Sequence, residues 1–266
     1  MKKSIRRIII NFLLYCLILY AGLLGYAYFF ADQHIFFPPT PSYRDDSSII
    51  KIPSRQGALI SAIYLPNAAA KYTVLVSHGN AEDLGRILPF LRKFHDQGYA
   101  VFAYDYQGYG TSQGRASEAN SYADELAAYT YLIQKLKIPP QQIIAYGRSL
   151  GAALAIDLAA RKPLAGLIVE SGFASAFRLS FLFPLLPFDK YNNLEKIKKI
   201  TCPLLLIHGT SDEVIPFSQG IQLYQSTLVP KLFFPIPGGR HNNLLLTAGA
   251  QYWQVIRKFT ELLERN

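Results

Sequence analysis

Cysteine is almost missing from this chain: two occur in 266 residues. Cys16 sits inside a long apolar run and Cys202 in the folded part, so no disulfide can form within the domain. Such a count is neutral about compartment, because an oxidising environment permits disulfides without requiring them. With no C-x-x-C pair and no Cys/His cluster, neither a metal site nor a metal cofactor is expected. Charge is sparse too, at 17% against 50% hydrophobic residues, which excludes a disordered chain. No acidic residue precedes Asp32, and no charged side chain lies between Ile8 and Ala31.

That uncharged run of 24 residues is long enough to cross a bilayer as a helix. Lys2, Lys3, Arg6 and Arg7 precede it, and Tyr26, Tyr28, Phe29 and Phe30 crowd its far end, as aromatics do at a membrane interface. The run exceeds the usual signal-peptide core of about 7–15 residues, so it reads as an uncleaved anchor. The alternative is a signal sequence cut after Gly25-Tyr26-Ala27. The positive charge ahead of the run puts the N-terminus in the cytoplasm and the rest of the chain across the membrane; in a bacterium that means a single-pass inner-membrane protein with a periplasmic domain. The net charge of +9 falls to +5 once the four leading basic residues are set aside. No basic block or aromatic–basic interleaving remains, so no nucleic-acid partner is expected.

Residues 1–31 are thus the expected anchor, 32–47 a linker with Pro38, Pro39 and Pro41, and 48–266 one domain. Ile49 to Pro66 reads as a hairpin turning around Gly57. Beyond it, the apolar runs Tyr72–Ser77, Tyr99–Tyr104, Gln142–Tyr146, Leu164–Val169, Pro203–Ile207 and Leu232–Pro235 are expected strands. They alternate with expected helices at Leu84–Asp96, Glu118–Leu136, Leu150–Arg161, Ser218–Thr227 and Leu244–Glu264. Short buried strands separated by helices mean an α/β fold with a mostly parallel sheet covered on both faces. Residues 173–201 break the rhythm as a lid-like insertion, whose apolar stretch Phe181–Phe188 is placed either as the roof of an acyl pocket or as packing on the sheet.

In such a sheet, chemistry gathers beyond the carboxyl ends of the strands. Gly147-Arg148-Ser149-Leu150-Gly151 follows one strand and opens a helix, the setting of a nucleophile elbow. A serine hydroxyl needs a base, itself oriented by an acid. His241, in the loop Pro237-Gly238-Gly239-Arg240-His241 before the last helix, is the expected base. His78 and His208, each just ahead of a glycine, are assigned to turns. Asp212 lies between serine and histidine in chain order and is the expected acid; Glu170 is its rival, and the adjacent Glu213 is expected to turn away. The oxyanion amides are expected from Leu150 and from Asn80 in Ser77-His78-Gly79-Asn80-Ala81, with Ala81 as fallback. No HGGG run is present.

These pieces, together with Tyr104-Asp105-Tyr106-Gln107-Gly108-Tyr109-Gly110 and Asp212-Glu213-Val214-Ile215-Pro216, resemble the α/β-hydrolase superfamily across nearly all of residues 47–266. The resemblance is to its membrane-anchored Bem-type (bud-emergence-like) branch, related to α/β-hydrolase-domain protein depalmitoylases. It implies a serine hydrolase in which the Asp105 turn is structural, but supplies no substrate. The leading expectation is hydrolysis of an ester or thioester of a small or lipid-like acyl substrate, without a cofactor. An aminopeptidase-like amidase and a catalytically silent membrane scaffold are the alternatives.

Overall fold

The computed structural model describes residues 2–180 and 186–265. Two compact units emerge, Met1–Phe37 and Pro38–Asn266. The first is a single helix, α1 (Lys2–Ile35). Its stretch Ile5–Ile35 has a mean hydropathy of 2.3 and is long and apolar enough to cross a membrane, a test that a signal sequence also passes. The helix continues four residues past Ala31, where the sequence pattern ended it. Asp32-Gln33-His34-Ile35 contains no breaker, and helical bonding persists until Phe36 N donates to Asp32 O at 3.1 Å; proline then stops it.

In the second unit, β1 (Ile50–Pro53) and β2 (Leu59–Leu65) form the expected hairpin around a short 3₁₀ turn. The strands β3 (Thr73–Ser77), β4 (Ala100–Tyr104), β5 (Ile143–Arg148), β6 (Gly166–Glu170), β7 (Leu204–Gly209) and β8 (Lys231–Ile236) follow. Among the described residues one sheet of eight strands results, in the order β1-β2-β4-β3-β5-β6-β7-β8. β1 and β2 pair antiparallel with each other and β2 antiparallel with β4; every later pairing is parallel. β3, β4, β6 and β7 are buried along their whole length, which explains their uninterrupted apolar sequences.

The covering helices are α2 (Leu84–Asp96), α3 (Glu118–Gln134), α4 (Leu150–Arg161), α7 (Phe217–Gln225), α8 (Leu244–Ala248) and α9 (Ala250–Leu263). α2 starts at Asp83, whose carboxylate accepts from Arg86 N; α3 starts at Ser117, whose hydroxyl accepts from Asn120 N. α4 opens at Ser149 and is buried from Leu150 to Ala159. Its alanine-rich sequence lets it lie close against the sheet.

Two expectations need correction. The stretch 32–47 is not a plain linker, because Ser42 N donates to Asp83 Oδ2 at 2.6 Å and the Tyr43 hydroxyl to Asp105 Oδ2 at 2.5 Å. Proline-rich composition marked it as neither helix nor strand but gave no sign that its polar side chains seek buried carboxylates. The expected helix Leu244–Glu264 is broken into α8 and α9 at Gly249, whose φ of 53° and ψ of −128° favour glycine. Within the insertion 173–201, α5 (Phe177–Ser180) and α6 (Asn193–Ile197) are short, and Ala176 N donates to Lys190 O at 2.8 Å where the two arms meet. Residues 181–185, the heart of the expected acyl-pocket roof, lie outside the described residues.

The positive φ at Gly249 divides α8 from α9, and α9 buries Tyr252 in the core. Gly249→Ala forces a side chain into that backbone conformation, at a cost of about 1–3 kcal/mol. A lower urea midpoint with an unchanged slope is the expected result.

Candidate active site

β5 passes into α4 through a single residue, Ser149. Ser149 has φ 54° and ψ −116°, a conformation that side chains rarely adopt. It is over-determined from both sides: Ser149 N donates to Glu170 O at 2.9 Å, and Ser149 O accepts from Ala152 N at 3.0 Å. The flanking glycines are steric necessities. A Cβ on Gly147 would collide with the Gly151 carbonyl, and one on Gly151 with the carbonyl of Ser77 at the end of β3. Leu150 is the first residue of α4, where backbone amides have no intrahelical acceptor and the helix dipole favours negative charge.

The loop after β8 carries His241 to this turn. Its Nε2 lies 3.1 Å from Ser149 Oγ. Its Nδ1 lies 2.9 Å from Asp212 Oδ2 and 3.0 Å from Oδ1. The Asp212 side chain is fully buried in the loop after β7 and also accepts from Val214 N at 2.9 Å and Ile215 N at 2.8 Å. Burial alone would raise its pKa, but hydrogen bonds from His241 and from the Ile215 and Val214 amides outweigh it and pull the value down to about 2. The three side chains expected to act together are therefore brought together, in the order base between nucleophile and acid.

Glu170, the rival acid, is directed elsewhere. It accepts from the Tyr252 hydroxyl and faces Arg148, whose Nε stands 3.5 Å from its Oε1. Burial lifts its pKa, only partly offset by Arg148 and Tyr252. Glu213 does not turn away as expected: its Oε2 accepts the His241 amide at 3.2 Å, steadying the loop from outside. Asn80 follows β3, close to the elbow in sequence order of the strands, and its Oδ1 accepts from the Tyr109 hydroxyl at 2.5 Å. Ala81 has a positive φ of 58°.

The two other histidines at strand ends have the turn roles assigned to them. His208 is buried beside β7, its Nε2 donating to Ile215 O at 3.0 Å, and burial lowers its pKa. His78 is fully buried with Nδ1 2.8 Å from Gly79 O and Nε2 3.2 Å from Asp105 Oδ1. Burial opposes its charge, but Asp105 more than compensates and raises its pKa. Asp105 also accepts from Leu84 N at 2.9 Å and from Tyr43, so it ties together β4, the start of α2 and the segment before β1.

The sequence reading missed Arg148. Its guanidinium reaches Glu82, Glu170, Asn242 and the His241 carbonyl. The available signal was a charged residue placed inside an otherwise buried elbow. Among the described residues, no group of three or more His, Cys, Asp or Glu side chains is arranged to hold a metal.

Because the pKa of Asp212 is depressed in the folded state, its carboxylate contributes stability that is complete above the ordinary aspartate range and disappears as pH falls through the folded value. The stability difference between wild type and Asp212→Asn is expected to be constant above about pH 5 and to shrink between about pH 4 and 2. Urea titrations at a series of pH values measure this, and a difference that stays flat to pH 2 contradicts it.

Comparison with known proteins agrees with this architecture. A serine aminopeptidase (S33) family model matches residues 68–185. The α/β hydrolase domain-containing protein aho-3 of Caenorhabditis elegans is 35% identical over 258 residues, covering 85% of this chain and 76% of that protein. The human α/β hydrolase domain-containing protein 17B is 41% identical over 197 residues, covering 73% of this chain and 67% of its own length. Among solved structures, an esterase from Pyrococcus furiosus superposes with a TM-score of 0.68 at 18% identity, covering 85% of this chain and 98% of the esterase. Sheet order, sequence relatives and structural neighbours converge: the chain belongs to the α/β-hydrolase domain-containing family and is a hydrolase of that fold.

Proposed function

We propose that this protein is a serine hydrolase that cleaves an ester or thioester of a lipid-like acyl substrate through an acyl-enzyme on Ser149. The observation that carries this reading is the position of His241, 3.1 Å from Ser149 Oγ on one ring nitrogen and bonded to Asp212 on the other. Ser149 Oγ attacks the acyl carbon while its proton passes to His241 Nε2. The backbone amides of Leu150 and Asn80 stabilise the oxyanion. The tetrahedral adduct collapses, the alcohol or thiol leaves with the proton from His241, and the acyl group stays on Ser149. Water then loses a proton to His241 and attacks the acyl-enzyme ester; collapse of that adduct returns the proton from His241 to Ser149 Oγ and releases the acid. Asp212 remains ionised throughout, as its low pKa favours, and holds the imidazole in its productive tautomer.

The family model's aminopeptidase description supports a second reading, an amidase requiring a free amine. The carboxylates near the elbow, Glu82 and Glu170, are both engaged with Arg148, which favours the ester reading. A series of acyl esters, thioesters and aminoacyl amides of graded chain length separates the two. Preference for amides with a free amine would replace the first reading with the second.

Ser149 is expected to react with a fluorophosphonate probe. Ser149→Ala or His241→Ala should lower turnover by about 10⁴-fold or more, and Asp212→Asn by about 10⁴-fold with the fold intact. Glu170→Gln should have a much smaller effect. Equal labelling of wild type and Ser149→Ala would refute the nucleophile assignment, and a reversed order for Asp212 and Glu170 the acid assignment.

The N-terminal helix serves in this reading as a single-pass anchor, with its four basic residues on the cytoplasmic side and the hydrolase domain on the other. In a bacterial inner membrane the domain would then be periplasmic. Protease added to intact spheroplasts should degrade it; degradation only after lysis would reverse the orientation.

A further inference from the structure

We infer that Arg148 is a positioning residue that holds the His241 loop and the loop after β3 in register with the nucleophile elbow. The inference rests on the serine-hydrolase reading and deepens it. One guanidinium joins three separate segments to its own. Its Nη1 is paired with Glu82 in the loop after β3, and its Nε faces Glu170 at the end of β6. Its Nη2 donates to Asn242 Oδ1 at 2.6 Å and to His241 O at 3.4 Å in the loop after β8.

Glu82 extends this clamp. While one oxygen takes Arg148, the other accepts Gly79 N at 2.8 Å, in the backbone that leads directly to Asn80. The same cation therefore reaches the base through its own carbonyl and the proposed oxyanion donor through a carboxylate. His241 is gripped on both backbone sides, its amide by Glu213 and its carbonyl by Arg148.

On one side, this cluster borders a cleft rather than packed side chains. A cavity of about 200 Å³ lies beside Arg148, and its walls include Ile87, Phe90, Leu244 and Leu245 as well as Glu82 and Asn242. Across this cleft the contacts to the His241 loop are polar, and a planar fork with several fixed donors supplies direction that a point charge lacks. A buried ionic cluster is a poor source of net stability, since desolvation consumes much of the attraction. Geometry is what the cluster provides, and its value is large: a displacement of about 1 Å among reacting groups can cost about 10²-fold in rate.

The test uses the full chain in detergent, with fluorophosphonate labelling rates, kcat and KM on p-nitrophenyl butyrate, and thermal unfolding. Arg148→Lys keeps the charge and loses the fork. Asn242→Ala removes the shortest tie to the His241 loop. A triple variant, Arg148→Met with Glu82→Gln and Glu170→Gln, removes the cation without leaving a buried carboxylate unpaired. For Arg148→Lys and the triple variant, labelling and kcat are expected to fall by about 10²-fold with KM little changed; Asn242→Ala should lie between these and wild type. The far-downfield proton resonance of the His241–Asp212 hydrogen bond should weaken in the same order. If the triple variant does not fold, Arg148→Lys and Asn242→Ala decide the matter. Wild-type labelling rates in a folded Arg148→Lys protein overturn the inference, as does a loss confined to KM. A wild type that ignores the probe defeats the serine-hydrolase reading itself, an outcome distinct from either.

Discussion

Everything at the carboxyl edge of this sheet follows from one backbone conformation, the positive φ of Ser149. A strand cannot pass into a helix within a single residue unless that residue leaves the ordinary regions of backbone space, and doing so costs about 1–3 kcal/mol. The neighbours meet this cost together. Glycine on each side removes the collisions, β6 supplies an acceptor for the Ser149 amide, and α4 begins at once. The hydroxyl is thereby lifted clear of the sheet, and the first amide of α4 is left beside it. Relaxing the turn would move the hydroxyl away from His241 and bury it in the elbow.

Two carboxylates near this turn illustrate how neighbours decide chemistry. Asp212 and Glu170 are both buried, at the ends of adjacent parallel strands. Asp212 collects two backbone amides and an imidazole, and its charge is favoured. Glu170 meets a tyrosine hydroxyl and shares Arg148 with Glu82, and burial dominates it. Of the two, it is Asp212 that is bonded to His241. Distance along the chain from the serine does not separate the two; their donors do.

Much of this was legible in the sequence because it is local. The strand–Gly-x-Ser-x-Gly–helix junction and the uninterrupted apolar strands each declare themselves within a few residues, and the chain order of Ser149, Asp212 and His241 needs only the positions of three loops. What escaped was interaction between distant segments. Nothing near Arg148 announces Glu82, Glu170 and Asn242 as its partners, since they meet only when four strand ends are assembled side by side. Glu213 was misjudged because its acceptor role depends on where the His241 amide falls. The break in the last helix was hidden for a different reason: one glycine in a helical pattern is tolerated at modest cost, so Gly249 did not announce the positive φ that divides α8 from α9.

The residues just after Pro38 bear on how much of the chain the folded unit needs. Gly110 has no room for a side chain because Tyr43 and Asp105 occupy the space, and Gly85 is similarly filled by Ser42. The folded unit therefore has sockets that accept the chain ahead of its first strand. A chain cut between Pro38 and Ser42 would keep both sockets filled. A cut after Arg44 would empty them, exposing Asp83 and Asp105 beneath the loop that follows β3. The position of a cut in this stretch would thus decide whether the folded unit stays closed or begins to come apart at the wall beside the loop that follows β3.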